Sequence, residues 1–261
     1  MNWTWNVKTL SPHLREFKIT PLIKMVILEK VNKLKLTRPK VLVDSHLTPH
    51  VKHPLPGKSG FAISIVGPAG SGKTSAMVSM IKSKDGYYRR FENIITVIPS
   101  SSIASLKANP FRDLDDGNKY EALDLESLDS IIESVEENRE EDEYTLLILD
   151  DVSAELQDAV ILKRMMRVFL NRRHLLLSII VLSHSLTGKG ALPYVTRKNI
   201  SHLMLFRPAC GLEVVNAEYL HLPRDKFKEL TEYCFNKKHN HLLLETNTNA
   251  MYKNFNTLTQ S

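Results

Sequence analysis

Eight consecutive residues, Gly67-Pro68-Ala69-Gly70-Ser71-Gly72-Lys73-Thr74, carry the densest chemistry in this chain. They fit G-x-x-x-x-G-K-[ST], the phosphate-binding P-loop. The glycines let the backbone curl and aim its N–H groups inward at phosphate oxygens. Lys73 would reach the β- and γ-phosphates of a nucleoside triphosphate, and the Thr74 hydroxyl would bind Mg²⁺. Ser75 closes the binding run. The bland alternative is a glycine-rich turn that binds nothing. A second constellation is Asp150-Asp151, directly after the apolar run Leu146-Leu147-Ile148-Leu149. Two carboxylates at the end of a buried strand, about 80 residues after a P-loop, fit the Walker B pattern. Asp150 would hold the Mg²⁺ that Thr74 also touches, and Asp151 would polarise the attacking water. A third is Ser183-His184-Ser185, at the end of Ser178-Ile179-Ile180-Val181-Leu182, where a polar side chain can touch the γ-phosphate or its water. A packed strand-end histidine is the competing reading of His184.

These residues need a strand–loop–helix frame, and the flanks supply it. Phe61 to Val66 reads as a short buried strand, and Ser75 to Lys82 as a helix with Met77, Met80 and Ile81 on one face. Ile94–Ile98 is the next predicted strand. Leu125, Leu128, Ile131, Ile132 and Val135 recur at helical spacing, so 121–138 is a predicted amphipathic helix with a very acidic, solvated outer face. Tyr144–Leu149 is a strand, 154–170 a helix, and Ile200–Phe206 the last core strand. Helices follow at 213–221 and 224–235, the second opened by Pro223, then a strand at 241–245. The reading divides the chain into an N-terminal basic appendage (1–58), a P-loop core (59–245) and a loose, Asn/Thr-rich tail (246–261).

Composition sets the outer limits. Among 261 residues, 43% are hydrophobic and 25% charged, as in ordinary soluble globular proteins. The net charge of +6 suits an acidic polymer as partner without requiring one. Residues 1–60 carry eleven lysines and arginines against Glu16, Glu29 and Asp44, so this appendage is free to meet DNA, a capsid or a neighbouring subunit. Cys210 and Cys234 form no framework or metal spacing, which fits a reducing compartment. His46, His50 and His53 surround Pro49 without a nearby cysteine and read as a solvated loop rather than a zinc site. No signal peptide and no membrane span is expected.

The order of elements resembles the RecA-like (ASCE) branch of P-loop NTPases, an α/β fold with a central, mostly parallel sheet flanked by helices. That resemblance implies that the strand ending at His184 lies between the P-loop strand and the Walker B strand. The resemblance narrows at Arg172-Arg173-His174 running into Ser178–Ser185. With L-L-I-L-D-D and G-P-A-G-S-G-K-T, this looks like the FtsK–HerA superfamily, and most like the poxvirus-type genome-packaging ATPases of large DNA viruses and virophages. The family couples ATP hydrolysis to translocation of double-stranded DNA. It implies a homo-oligomeric ring, pentamer or hexamer, feeding a preformed capsid in the host cytoplasm or viral factory, or associated with the virion, with ATP and Mg²⁺ as cofactors and no membrane. Many members have Glu where this chain has Asp151, which makes Glu155 a rival base, and Gln where it has His184. A ring ATPase of this kind takes an arginine finger from the neighbouring subunit; Arg173 is the first candidate, Arg172 the second, with Arg197 and Arg207 behind them. Lys189, Arg197 and Lys198 are candidates for phosphate contacts in the pore. A non-motor loader or switch in transposition or replication, and a small-molecule kinase, are the alternative readings.

Overall fold

In the computed structural model the described residues are 51–57, 60–100, 102, 111–112, 114–188, 191–207 and 211–259, all within the compact unit Ser45–Ser261. The basic appendage up to residue 50, with His46 and His50, lies outside them, as do Lys189 and Cys210.

The strands are β1 (Ala62–Val66), β2 (Asn93–Val97), β3 (Lys119–Tyr120), β4 (Thr145–Asp150), β5 (Leu177–Ser183), β6 (His202–Phe206), β7 (His241–Glu245), β8 (Ala250–Lys253) and β9 (Asn256–Leu258). The helices, in chain order, are α1 (Lys73–Lys82), α2 (Leu125–Glu140), α3 (Ala159–Asn171), α4 (Tyr194–Arg197), α5 (Leu212–Val215, continued by a π turn over Asn216–Leu220) and α6 (Arg224–Cys234). One sheet runs β3-β2-β4-β5-β1-β6-β7-β8-β9. Its pairs are parallel from β3 through β6 and antiparallel from β6 through β9. β5 lies between β1 and β4, as the resemblance implied, pairing Val66 with Ser183 and Asp150 with Leu182.

Alternation along the strands builds two cores. Ile63, Ile65, Leu146, Ile148, Ile180 and Leu182 face α1, where Met77, Met80 and Ile81 meet them. Val66, Leu147, Leu149, Ile179 and Val181 face the other way, onto Leu128, Ile131 and Val135 of α2 and Met165, Val168 and Phe169 of α3. Strands covered on both faces must be apolar throughout, which is why β4 and β5 read as unbroken hydrophobic runs. Two caps start the helices on this second face. Asp124 accepts from Ser127 N while Ser127 Oγ accepts from Asp124 N, a capping box. Asp158 accepts from the N–H groups of Val160 and Ile161 (2.8 and 3.1 Å). Leu125, read as part of the apolar stripe of α2, is instead exposed at the helix start.

The tail differs most from expectation. Residues 246–258 continue the sheet as a hairpin rather than a loose end. Met251 and Tyr252 are buried, and the turn uses two residues of positive φ, Asn254 (49°) and Phe255 (69°), as a type I′ turn requires. Asn254 Oδ1 accepts from His241 N (3.0 Å) and Asn254 N donates to His241 O (3.1 Å), so the turn is fastened to the start of β7.

Candidate functional site: a phosphate loop and the acids beside it

The loop between β1 and α1 is held by close packing as much as by conformation. A Cβ on Gly67 would come within 2.7 Å of both Phe206 Cβ and Ser71 Oγ, so only glycine fits there. Gly72, at φ 111°, is the residue from which α1 begins and lies where side chains are strained. The first N–H groups of α1 precede the first helical bond, Ala76 N to Gly72 O (2.9 Å), and with the helix dipole they form an anion-binding end. Lys73 is buried, with Nζ donating to Gly67 O (2.7 Å) and Pro68 O (3.3 Å). Burial lowers its pKa, opposed by the charges of Asp150 and Asp151.

Parallel register places the acids on the same rim. Gly67 N donates to Ser183 O (3.1 Å), which joins the loop to the tip of β5, and Asp150 ends β4 on the far side of β5. Asp150 is buried; burial and then Asp151 push its carboxyl up, while Lys73 and His184 hold it down. A buried carboxylate beside a second one is a poor place for net negative charge, and a divalent cation balances it. Oxygen donors from one carboxylate and one hydroxyl, with phosphate and water completing the shell, suit Mg²⁺. Among the described residues no cluster of three His, Cys, Asp or Glu side chains offers a richer metal cage. Asp151 turns out of β4 at φ 58°, and its Oδ1 lies 3.2 Å from His184 Nε2. The two positions at which this chain departs from its resemblance, Asp151 and His184, are therefore partners. Glu155 sits in a short 3₁₀ turn after β4, with Oε2 buried and without a hydrogen-bond partner.

The arginines separate by location. Arg173 is exposed in the turn before β5, at the opposite end of that strand from His184. Arg172, beside it, donates from Nε to Gly60 O (2.8 Å) and from Nη1 to Phe169 O, so its guanidinium is held by the fold. Arg197 is likewise committed: it forms a bidentate, largely buried pair with Glu218 (2.8 and 3.3 Å) and donates to Leu192 O (2.7 Å). That pairing removes Arg197 from both the finger and the pore candidates. Lys198 donates weakly to Glu218 O (3.4 Å) and lies near the rings of Tyr194 and Tyr219. Arg207 is exposed just after β6, on the nucleotide rim.

Sequence reasoning missed a ring-lined wall. His239, His241 and Phe255 come from the antiparallel end of the sheet and line a cavity of about 920 Å³ beside the start of α1. His239 Nδ1 lies 2.8 Å from Ser71 O, across 168 residues of sequence. The one available signal was the run Lys237-Lys238-His239-Asn240-His241.

Comparison with known proteins agrees with this geometry. A family model described as "Poxvirus A32 protein" matches residues 54–225. No curated protein matches the chain. The genome packaging NTPase B204 of Sulfolobus turreted icosahedral virus 2, solved with ATPγS, superposes with a TM-score of 0.54 at 12% identity, covering 76% of this chain and 98% of B204. The pCW3 conjugation coupling protein TcpA with ATPγS gives 0.53 at 10% identity, over 77% of this chain and 61% of TcpA. EssC (ATPases 2 and 3) of Geobacillus thermodenitrificans gives 0.52 at 15%, over 76% and 40%. At these identities the superpositions establish the P-loop ATPase fold.

Proposed function

Because this chain belongs to the poxvirus A32 protein family, we propose that it is the ATP-hydrolysing motor that drives double-stranded viral DNA into a preformed capsid, working as a homo-oligomeric ring. One observation carries the reading: the two ends of β5. His184 at its tip meets Asp151 beside the buried Asp150 and Lys73, while the exposed Arg173 stands at its other end. A finger at that end cannot serve its own site, so the site is completed by the Arg173 of a neighbour.

The geometry supports one division of labour. The N–H groups of Ala69, Gly70 and Gly72 to Ser75 cradle the phosphates, and Lys73 exchanges its two carbonyl partners for phosphate oxygens. Thr74 and Asp150 would hold Mg²⁺, which when bound neutralises charge on the β- and γ-phosphates. Asp151 takes the proton of the attacking water, and His184 orients that carboxylate through Nε2. Arg173 from the neighbour stabilises the charge of the transferred phosphoryl group. DNA is gripped by phosphate contacts in the pore, with Lys189 and Lys198 as the basic candidates and the basic residues 1–58 as an arm for DNA or capsid. Among the described residues no helix is long and apolar enough to cross a membrane, and the motor is assigned to the cytoplasmic or viral-factory space where genome and capsid meet.

The test is ATP hydrolysis by purified protein with and without duplex DNA, followed by subunit mixing. Hydrolysis should rise with DNA. Arg173→Ala and Asp151→Ala should each be inactive alone, while a mixture regains activity at interfaces that join an intact Asp151 to an intact Arg173. A monomer whose hydrolysis ignores DNA overturns the motor; a mixture with no regained activity overturns the finger.

A further inference from the structure

The antiparallel end of the sheet borders the phosphate loop across a shared cavity. We propose that the cavity walled by Phe255, His241, His239 and Phe206, with His53 and Leu55 facing them, seats the base of the bound nucleotide, so that the C-terminal hairpin selects a nucleoside triphosphate over a bare triphosphate. This rests on the reading that the P-loop holds a triphosphate.

Direction comes first. The acids and His184 stand on the tips of β4 and β5, on one side of β1. The terminal phosphate must lie there, where water attacks. The nucleoside then leaves the loop on the other side, toward β6, β7 and the hairpin. The cavity opens on that side and includes Gly70 to Ala76 in its lining, so loop and cavity are continuous.

The wall has the chemistry of a base site. His241 lies 5.3 Å from the Phe206 ring, tilted by 45°, and 4.8 Å from the Phe255 ring, edge-on at 68°, giving a cluster of aromatic rings. Flat aromatic surface with a few fixed polar atoms is what a planar heterocycle requires. A volume near 920 Å³ is large enough for a nucleoside. Across the cavity, His53 is fixed by its Nε2 contact with Tyr252 Oη (3.0 Å).

Two features of the wall are unexplained by folding alone. His241 is 7% exposed, yet its Nε2 has no hydrogen-bond partner. Burial pushes its pKa down to about 4, so the ring is neutral and holds an unmatched polar nitrogen closed off from solvent. Burying such an atom unpaired is destabilising. Phe255 occupies a positive-φ turn position where Gly or Asn is favoured, and a bulky residue there is strained. Both cost stability, and both belong to residues that line the cavity. The contact between His239 Nδ1 and Ser71 O couples this wall to the phosphate loop.

Calorimetric titration of the full chain with Mg-ATP and with Mg-tripolyphosphate tests the assignment. Wild type should bind ATP more tightly than tripolyphosphate. Phe255→Gly should relieve the turn, leaving Tm unchanged or raised, while ATP binding weakens about tenfold and tripolyphosphate binding is unchanged. If Phe255→Gly lowers Tm instead, His53→Ala on the facing wall must show the same selective loss. Equal affinity of wild type for the two ligands overturns the proposal, as does ATP binding unaltered by these variants, or equal loss of both ligands. Failure of wild type to bind either ligand, or of Lys73→Ala to lose both, overturns the triphosphate reading itself.

Discussion

Asp151 and His184 sit 3.2 Å apart, each about half exposed (49% and 46%), so neither side chain is locked by burial. A carboxylate that accepts from imidazole keeps its second oxygen for water, and the contact fixes the orientation of Asp151. Glu155, by contrast, has an oxygen that is buried and without a hydrogen-bond partner. Asp151→Asn is therefore expected to cut kcat by about 10²–10⁴ while ATP binding is retained; Glu155→Gln should change kcat little. A steady-state comparison of the two variants decides between them, and the reverse ranking would make Glu155 the base. The acid pair was legible in the sequence because an apolar strand ending in two aspartates is a local pattern. The partnership with His184 was not, since it depends on which strand lies beside β4. Arg197 shows the same limit in the other direction: its basic neighbourhood suggested nucleic acid, and Glu218, 21 residues on, satisfies it.

The elements that carry the site are set by short-range signals and by two aspartate caps. Asp158 bonds two N–H groups at the start of α3, the helix whose end delivers Arg172 and Arg173. Asp158→Ala should cost about 1 kcal/mol in denaturant unfolding, with ATP binding untouched because the cap lies away from the loop. An unchanged unfolding midpoint would show that tertiary packing alone holds the helix. β1, α1, β4 and β5 could be read from the chain because each is a single unbroken hydrophobic or amphipathic run. The hairpin β8–β9 could not: Asn254-Phe255 is not the usual Asn-Gly turn, its strands are short and polar on one side, and only pairing with β7 gives Met251 and Tyr252 somewhere to be buried. The wall beside the phosphate loop was hidden for the same reason.

At the scale of the whole molecule, the sheet buries two histidines, His202 and His241, whose pKa values burial depresses to about 4. In the unfolded chain they titrate near 6.5. The folded state therefore resists taking up protons that the unfolded state accepts. Stability from these groups is fully present above pH 6.5 and is lost as pH falls toward 4, by at most on the order of 3 kcal/mol each. Urea unfolding between pH 7 and 4.5 should show this decline, and His202→Phe should flatten its slope; a wild-type stability constant over that range would contradict it. The same sheet has a mechanical side. β5, seven residues and about 23 Å long, is paired with β4 over Leu177–Leu182 and with β1 over Ile179–Ser183. A strand clamped on both edges neither stretches nor slips alone, so it acts as a strut. One end carries His184 against Asp151, and the exposed Arg173 precedes the other. In the ring proposed above, the order in which subunits fire would reduce to small shifts of one stiff rod.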